Sequence, residues 1–364
     1  MAGITLTPTP HAADESVYRQ AAVKLGRELR RKPWMALGVA GIALLVYCLS
    51  VSSTHLTASR LVQTSPTAKA PNINWLGVSI DTWVPIFYGV TALVIFGMVR
   101  SFFRHWAENG RMHPGWPIFL ALGVIGPIFD PIWNWCFYCN YYPKLLHWPV
   151  NWWDFNTAPT VEPWWIILGA YQAFYLGPAL LGFAIHRRFI AGRAQDGSFV
   201  RRHPVAALVM TTFVVGAVMD VLMEMWMINI GIYKYTQIWG PYLSMGRGHL
   251  QGIEILWCAV WTAFLCVLLR RDDRGRSGSA RIATAWGVFR NLQFGEMATA
   301  FTLVFVVMMA YGGTFVATRL TGDAKVVPGT YPYTQMVRTY DPDGAMQKAG
   351  QPGPYYKGTW AWNP

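Results

Sequence analysis

A chain of 364 residues that is 53% hydrophobic, 15% aromatic and only 13% charged is too apolar for a soluble domain, in which about a quarter of the residues carry charge. The net charge of +12 does not point to nucleic acid, because the basic residues sit in short segments between apolar runs, where they orient a membrane protein. An all-α polytopic membrane protein remains, with the bilayer as its first partner.

Residues 1–13 show no periodic pattern. From Asp14 onward Tyr18, Ala21, Ala22, Leu25 and Leu29 recur at helical spacing among Arg19, Lys24, Arg27, Arg30, Arg31 and Lys32, which predicts an amphipathic basic helix on the membrane surface within a leader of residues 1–33. The first apolar run is full length and follows some thirty residues, so a retained signal anchor is expected rather than a cleaved signal.

Seven transmembrane helices are expected within residues 34–317, at about 34–51, 82–99, 116–137, 164–185, 204–230, 250–269 and 297–316. The third carries Pro127 and Pro131, each lacking a helical donor, and a break is expected there that moves Asp130 off helical backbone angles. The Asp272 to Arg281 loop reads as a flexible, solvated connection. The loop at 138–163 and the tail at 318–364, rich in Pro, Gly, Trp and Tyr, are expected to fold over the outer opening of the bundle.

Of the five cysteines, Cys48, Cys258 and Cys266 lie inside spans and read as packing residues. Cys136 and Cys139 form one C-x-x-C without a second pair, which leaves a structural role or a disulfide open.

With the N-terminus cytoplasmic, twenty Lys and Arg side chains fall on the inner side and ten on the outer, so the C-terminus is expected to be extracytoplasmic in a multi-pass protein of the cytoplasmic (inner) membrane. That orientation places Asp130, Asp220, Glu224 and Glu254 in the outer half of the bilayer, with Asp81 at the start of the second span. Ionised groups at that depth are costly and usually face a cavity or a partner. Asn134, Tyr171, Gln172, Tyr175, Asn229, His249 and Gln251 share the same layer, and unsatisfied polar groups cannot face hydrocarbon. Convergence of this layer is the expectation.

Asp220 and Glu224 stand four residues apart on one helical face. Two close carboxyl groups in a low dielectric cannot both ionise cheaply, so one keeps a proton that it can donate. The alternative is a buried pair bound to Arg247, Lys234 or His249. Asp220, Glu224, Asp130 and Glu254 are the candidate catalytic acids; Asn134, His249, Gln172, Tyr175, Trp133, Trp226 and Tyr233 are candidate substrate-binding groups. Signatures of retinal, haem, di-iron, nucleotide and serine-hydrolase chemistry are missing, and neither a metal nor a cofactor is expected.

The stretches FDPIWNWCFYCNYYP at 129–143 and MDVLMEMWMINIGIYKY at 219–235, with the seven-span layout, resemble the AveC-like spirocyclase family of actinobacteria. The resemblance implies an integral membrane enzyme that closes a polyketide dihydroxyketone to a spiroketal, in some cases with dehydration. From the residues themselves, an acid/base cyclase or dehydratase acting on an apolar, oxygenated polyketide or lipid is the leading expectation. A proton-coupled carrier or lipid-handling protein that relays protons through the same acids is the alternative, and a non-catalytic membrane subunit is the third.

Overall fold

A computed structural model describes residues 33–51, 74–136, 139–142, 145–148, 163–235, 238–246, 248–287, 292–321, 339–340, 348 and 355–356. The expected leader helix, Arg247, and most of the 138–163 loop and of the tail lie outside these residues. In chain order the helices of eight or more residues are α1 (Pro33–Val51), α2 (Ile80–Asn109), α3 (Gly115–Cys136), α4 (166–193), α5 (Pro204–Ile230), α6 (Gly252–Leu269), α7 (Gly278–Ala285) and α8 (Leu292–Thr321). Among the described residues, five helices are long and apolar enough to cross a membrane: α2, α4, α5, α6 and α8; α1 and α3 contribute shorter apolar stretches.

The organisation is clearest in α5. Met210, Val214, Val218 and Leu222 are exposed, while Thr212, Gly216, Asp220 and Glu224 are buried. Both series advance by four residues, so one helix shows an aliphatic face outward and a polar, small-residue face inward. That is the arrangement a bilayer favours, because lipid offers polar groups no partner.

The inward series of α5 meets a matching series on α6: Glu254, Cys258, Thr262 and Cys266, all buried. The two helices run antiparallel. Glu224 faces Glu254, Asp220 faces Cys258, Gly216 meets Thr262 and Thr212 lies beside Cys266. Gly216 is the close-approach rung, since a Cβ there would lie 2.6 Å from Thr262 and 2.9 Å from the Ala259 Cα. Ridges at four-residue spacing on both helices therefore interlock, with one small residue where the backbones come nearest.

Three features depart from the expected pattern. First, α3 is helical from Gly115 to Cys136 without a break at Pro127 or Pro131. Asp130 therefore stays on helical backbone, and Asn134, one turn on, donates its amide to it at 2.7 Å. Tertiary packing inside a bundle outweighs the two missing donors. Second, α4 is not a regular α-helix: Ile166–Ala170, Gln172–Leu176 and His186–Ile190 are wound as π-helix. Third, the segment after α6 holds a hydrogen-bonded turn. The Asp272 carboxylate accepts from the backbone N–H groups of Arg274 and Arg276 at 3.0 and 2.8 Å and from the Arg276 guanidinium at 3.0 Å. Ser277 then caps α7 through the Ala280 N–H at 3.0 Å. An aspartate that satisfies two backbone donors fixes a turn that composition alone reads as loose.

Short antiparallel ribbons close one end of the bundle, beginning with β1 (Asn74–Trp75) paired to β2 (Val78–Ser79) just ahead of α2. Strand β3 (Cys139–Tyr141) follows α3 and pairs with β4 (Tyr233–Tyr235), which follows α5, in the register Cys139 to Tyr235 and Tyr141 to Tyr233. A hairpin, β5 (Tyr242–Met245) and β6 (Gly248–Gln251), leads into α6. Asn229 ties the hairpin to α5, its amide donating to the carbonyls of Met225 at 2.7 Å and Met245 at 3.0 Å. Cys136 and Cys139 are thiols rather than a disulfide.

Candidate active site

Beneath the β3–β4 ribbon lies a cavity of about 60 Å³. Its floor and walls come from α3, α4, α5, α6 and α8, and its roof from the ribbon. The polar groups around it are Asn134, Tyr171, Tyr175, Glu224, Tyr233, Tyr235, Glu254 and Tyr311; Phe174, Met227 and Ile166 are among the apolar ones.

On the α5–α6 side, each glutamate is held by one tyrosine. The Tyr235 hydroxyl donates to Glu224 Oε2 at 3.0 Å. The Tyr311 hydroxyl donates to Glu254 Oε1 at 2.6 Å. The Cys258 thiol, one turn along α6, lies 3.9 Å from the same Glu254 oxygen. Tyr233, fully buried in β4, lies beside Glu224, yet its hydroxyl closes no hydrogen bond of good geometry among the described residues. Asp220 sits one helical turn below Glu224 and does not line the cavity. Both of its oxygens are buried without a hydrogen-bond partner of good geometry among the described residues, with the Cys258 thiol alongside. None of Asp220, Glu224 and Glu254 forms an ion pair with a basic side chain among the described residues.

On the α3–α4 side, Asp130 is buried and receives two donors: the Asn134 amide on Oδ2 and the Tyr171 hydroxyl on Oδ1. Asn134 and Tyr171 reach the cavity and Asp130 does not. The π-wound turns of α4 put Tyr171 and Tyr175 in a stack with ring centroids 5.4 Å apart and planes inclined by 24°, so both rings face the same chamber. Gln172 is buried on the other side of that turn, against Gly123 of α3, with Oε1 unpartnered among the described residues.

The remaining candidates lie elsewhere. Trp133 packs face to face with Phe129 and edge-on against Tyr311, with centroids 5.9 and 5.4 Å apart, so it supports the tyrosine that holds Glu254. Trp226 lies against Phe87 of α2. His249 is in the β5–β6 hairpin, its Nδ1 2.9 Å from the Ser244 hydroxyl. Gln251 accepts from the Trp239 N–H and Asp81 from the Tyr142 hydroxyl.

Sequence reasoning did not single out Tyr235 or Tyr311, and it read Cys258 only as a packing residue. Tyr311 follows an aliphatic run with nothing polar beside it to mark it. Cys258 carries a signal in hindsight, being four residues after Glu254 on the face that bears Thr262 and Cys266.

A helical membrane protein with carboxyl–tyrosine pairs around one cavity is the class that fold and site define. A family model described as Spirocyclase AveC-like matches residues 110–339, and the chain belongs to that family. The matched region runs from the start of α3 past α8 and holds every residue of the two polar clusters. No curated protein and no solved structure matches the chain.

Proposed function

We propose that this protein is a membrane-embedded acid/base cyclase that closes a hydroxylated ketone to a cyclic ketal with loss of water. The observation that carries this reading is the pair Glu224 and Glu254: two carboxyl groups on adjacent helices, each held by a tyrosine through one oxygen, on the wall of one cavity. Carboxyl groups packed this closely, with Asp220 behind them, share protons rather than all carrying charge. The cluster then offers both an acid and a base without a cofactor.

The chemistry balances on that inventory. A substrate hydroxyl adds to the ketone carbon, the carbonyl oxygen takes a proton from the neutral carboxyl group, and the attacking hydroxyl gives its proton to the carboxylate. The resulting hemiketal hydroxyl is protonated and leaves as water. A second hydroxyl closes the other ring and returns its proton. One water is lost and the acids end as they began. An apolar polyketide or lipid that reaches the cavity from the bilayer is the substrate class this reading favours. Seven crossings, with α1 and α3 as full spans and the N-terminus cytoplasmic in an inner membrane, complete the proposal.

The test uses purified protein in nanodiscs with a synthetic dihydroxyketone, following spiroketal formation and its stereochemistry by chiral gas chromatography. The wild type should give one stereoisomer faster than the uncatalysed mixture. Glu224→Gln and Glu254→Gln should each lower turnover on the order of a hundredfold or more while the protein elutes unchanged on size exclusion. Full turnover in both variants would sink the mechanism; proton-dependent uptake of an unaltered ligand into vesicles would replace it with a carrier.

A further inference from the structure

The geometry points to a separate hydroxyl-binding subsite opposite the glutamates, formed by Asn134 and Tyr171 and anchored by Asp130, which acts as a positioning residue and not as a reacting acid. This rests on the cyclase reading for its place in the reaction, but the binding itself does not.

Asp130 is buried on α3, off the cavity wall, and both of its oxygens already receive donors from the side chains that do reach the wall. Because Asp130 accepts from both side chains, it fixes the Asn134 side chain with its NH₂ group toward α3 and turns the Tyr171 O–H away from the chamber. What these residues have left for a ligand is the Asn134 carbonyl oxygen, its second amide N–H and the lone pairs of the Tyr171 oxygen. Two acceptors with one donor beside them suit a group that both gives and takes a hydrogen bond, and an alcohol hydroxyl is such a group on an apolar ligand. The stack of Tyr171 on Tyr175 and the π-wound turns beneath it hold that acceptor in place without help from the ligand. Across the chamber, Glu224 and Glu254 stand on the cavity wall, each held by a tyrosine through one oxygen. A hydroxyl gripped on the α3–α4 side has its own lone pairs free to face a carbon held against the glutamates, as the attacking oxygen must.

The test measures binding and not turnover. A medium-chain aliphatic diol and its dimethyl ether, equal in apolar bulk, are titrated against the protein in nanodiscs by thermophoresis. The wild type should prefer the diol by roughly tenfold, the worth of one or two well-placed hydrogen bonds. Asp130→Asn and Tyr171→Phe should reduce that preference to about twofold or less. Tyr171→Phe keeps the ring stack, so it remains informative if Asp130→Asn folds poorly. Glu224→Gln should keep the preference, whatever it does to turnover. Retention of the tenfold preference in Tyr171→Phe, or its loss in Glu224→Gln alone, would overturn the subsite. A preserved preference in a protein that turns over no ketone would instead leave the subsite standing and remove the cyclase.

Discussion

Asp220 is held less well than the other acids: buried on α5, neither oxygen with a hydrogen-bond partner of good geometry among the described residues, and no place on the cavity wall. Leaving a buried polar group unpaired costs on the order of 1–3 kcal/mol. Replacing it with an apolar residue of similar size should recover part of that. Asp220→Leu is expected to raise the thermal midpoint in detergent by a few degrees, roughly 1–3 kcal/mol, while lowering turnover, the exchange expected where a strained group serves function. A lower midpoint would mean that the contact with Cys258 stabilises the fold instead. Gly312 makes the opposite case. A Cβ there would run into the indole of Trp133, the ring that backs Tyr311, so Gly312→Ala should cost roughly 1–3 kcal/mol and loosen the hold on Glu254. At this scale the acids were legible because charge inside an apolar run is conspicuous in any sequence. Their tyrosine partners were not. Tyr235 and Tyr311 look like any interfacial or core aromatic until the fold brings them to a carboxyl group.

At the scale of elements, the seam between α5 and α6 is a pairing of two four-residue series. Each series stands out in the sequence as the positions that are not large aliphatics; the register between them does not, because it depends on how the β5–β6 hairpin brings the chain back. The pairing is directly testable. Thr212→Cys should form a disulfide or mercury bridge with the native Cys266 in membranes, whereas Asp220→Cys should bridge to Cys258; bridging of Thr212→Cys to Cys258 would move the register by two turns. The proline expectation failed in α3 because the local rule ignores neighbours. The π turns of α4 were invisible for a different reason: hydrophobic periodicity assumes 3.6 residues per turn, and π winding, common at functional sites, breaks that assumption without changing composition. The entry to α3 also titrates. His113 stacks on Phe102 with centroids 4.5 Å apart and accepts the Gly115 N–H at 3.0 Å. Burial, helped by the nearby cations of His105 and Arg271, pushes it from 6.5 down to about 4. The folded state thus favours the neutral ring. The stability it contributes is whole above about pH 6.5 and drains away as pH falls toward 4, by at most about 3 kcal/mol. A melting series over that range should slope downward with acid, and His113→Phe should flatten the slope.

For the whole molecule, membrane character, helical class and family followed from composition and two short stretches. Crossing number and sidedness are open to measurement. Reporter fusions at residues 110 and 273 should be active on the cytoplasmic side, and one at residue 240 outside; any reversal would shift the acids to the opposite half of the bilayer.

The modest size of the space under the β3–β4 ribbon has a bearing on selectivity. A space of about 60 Å³ suits the reacting carbon and its oxygens, while the hydrocarbon arms of a long molecule would rest among the helices or in lipid. Discrimination there would fall on the pattern of oxygenation rather than on length. Homologous molecules that differ by several methylenes at either end should react at similar rates, whereas moving one oxygen by a single carbon should stop the reaction.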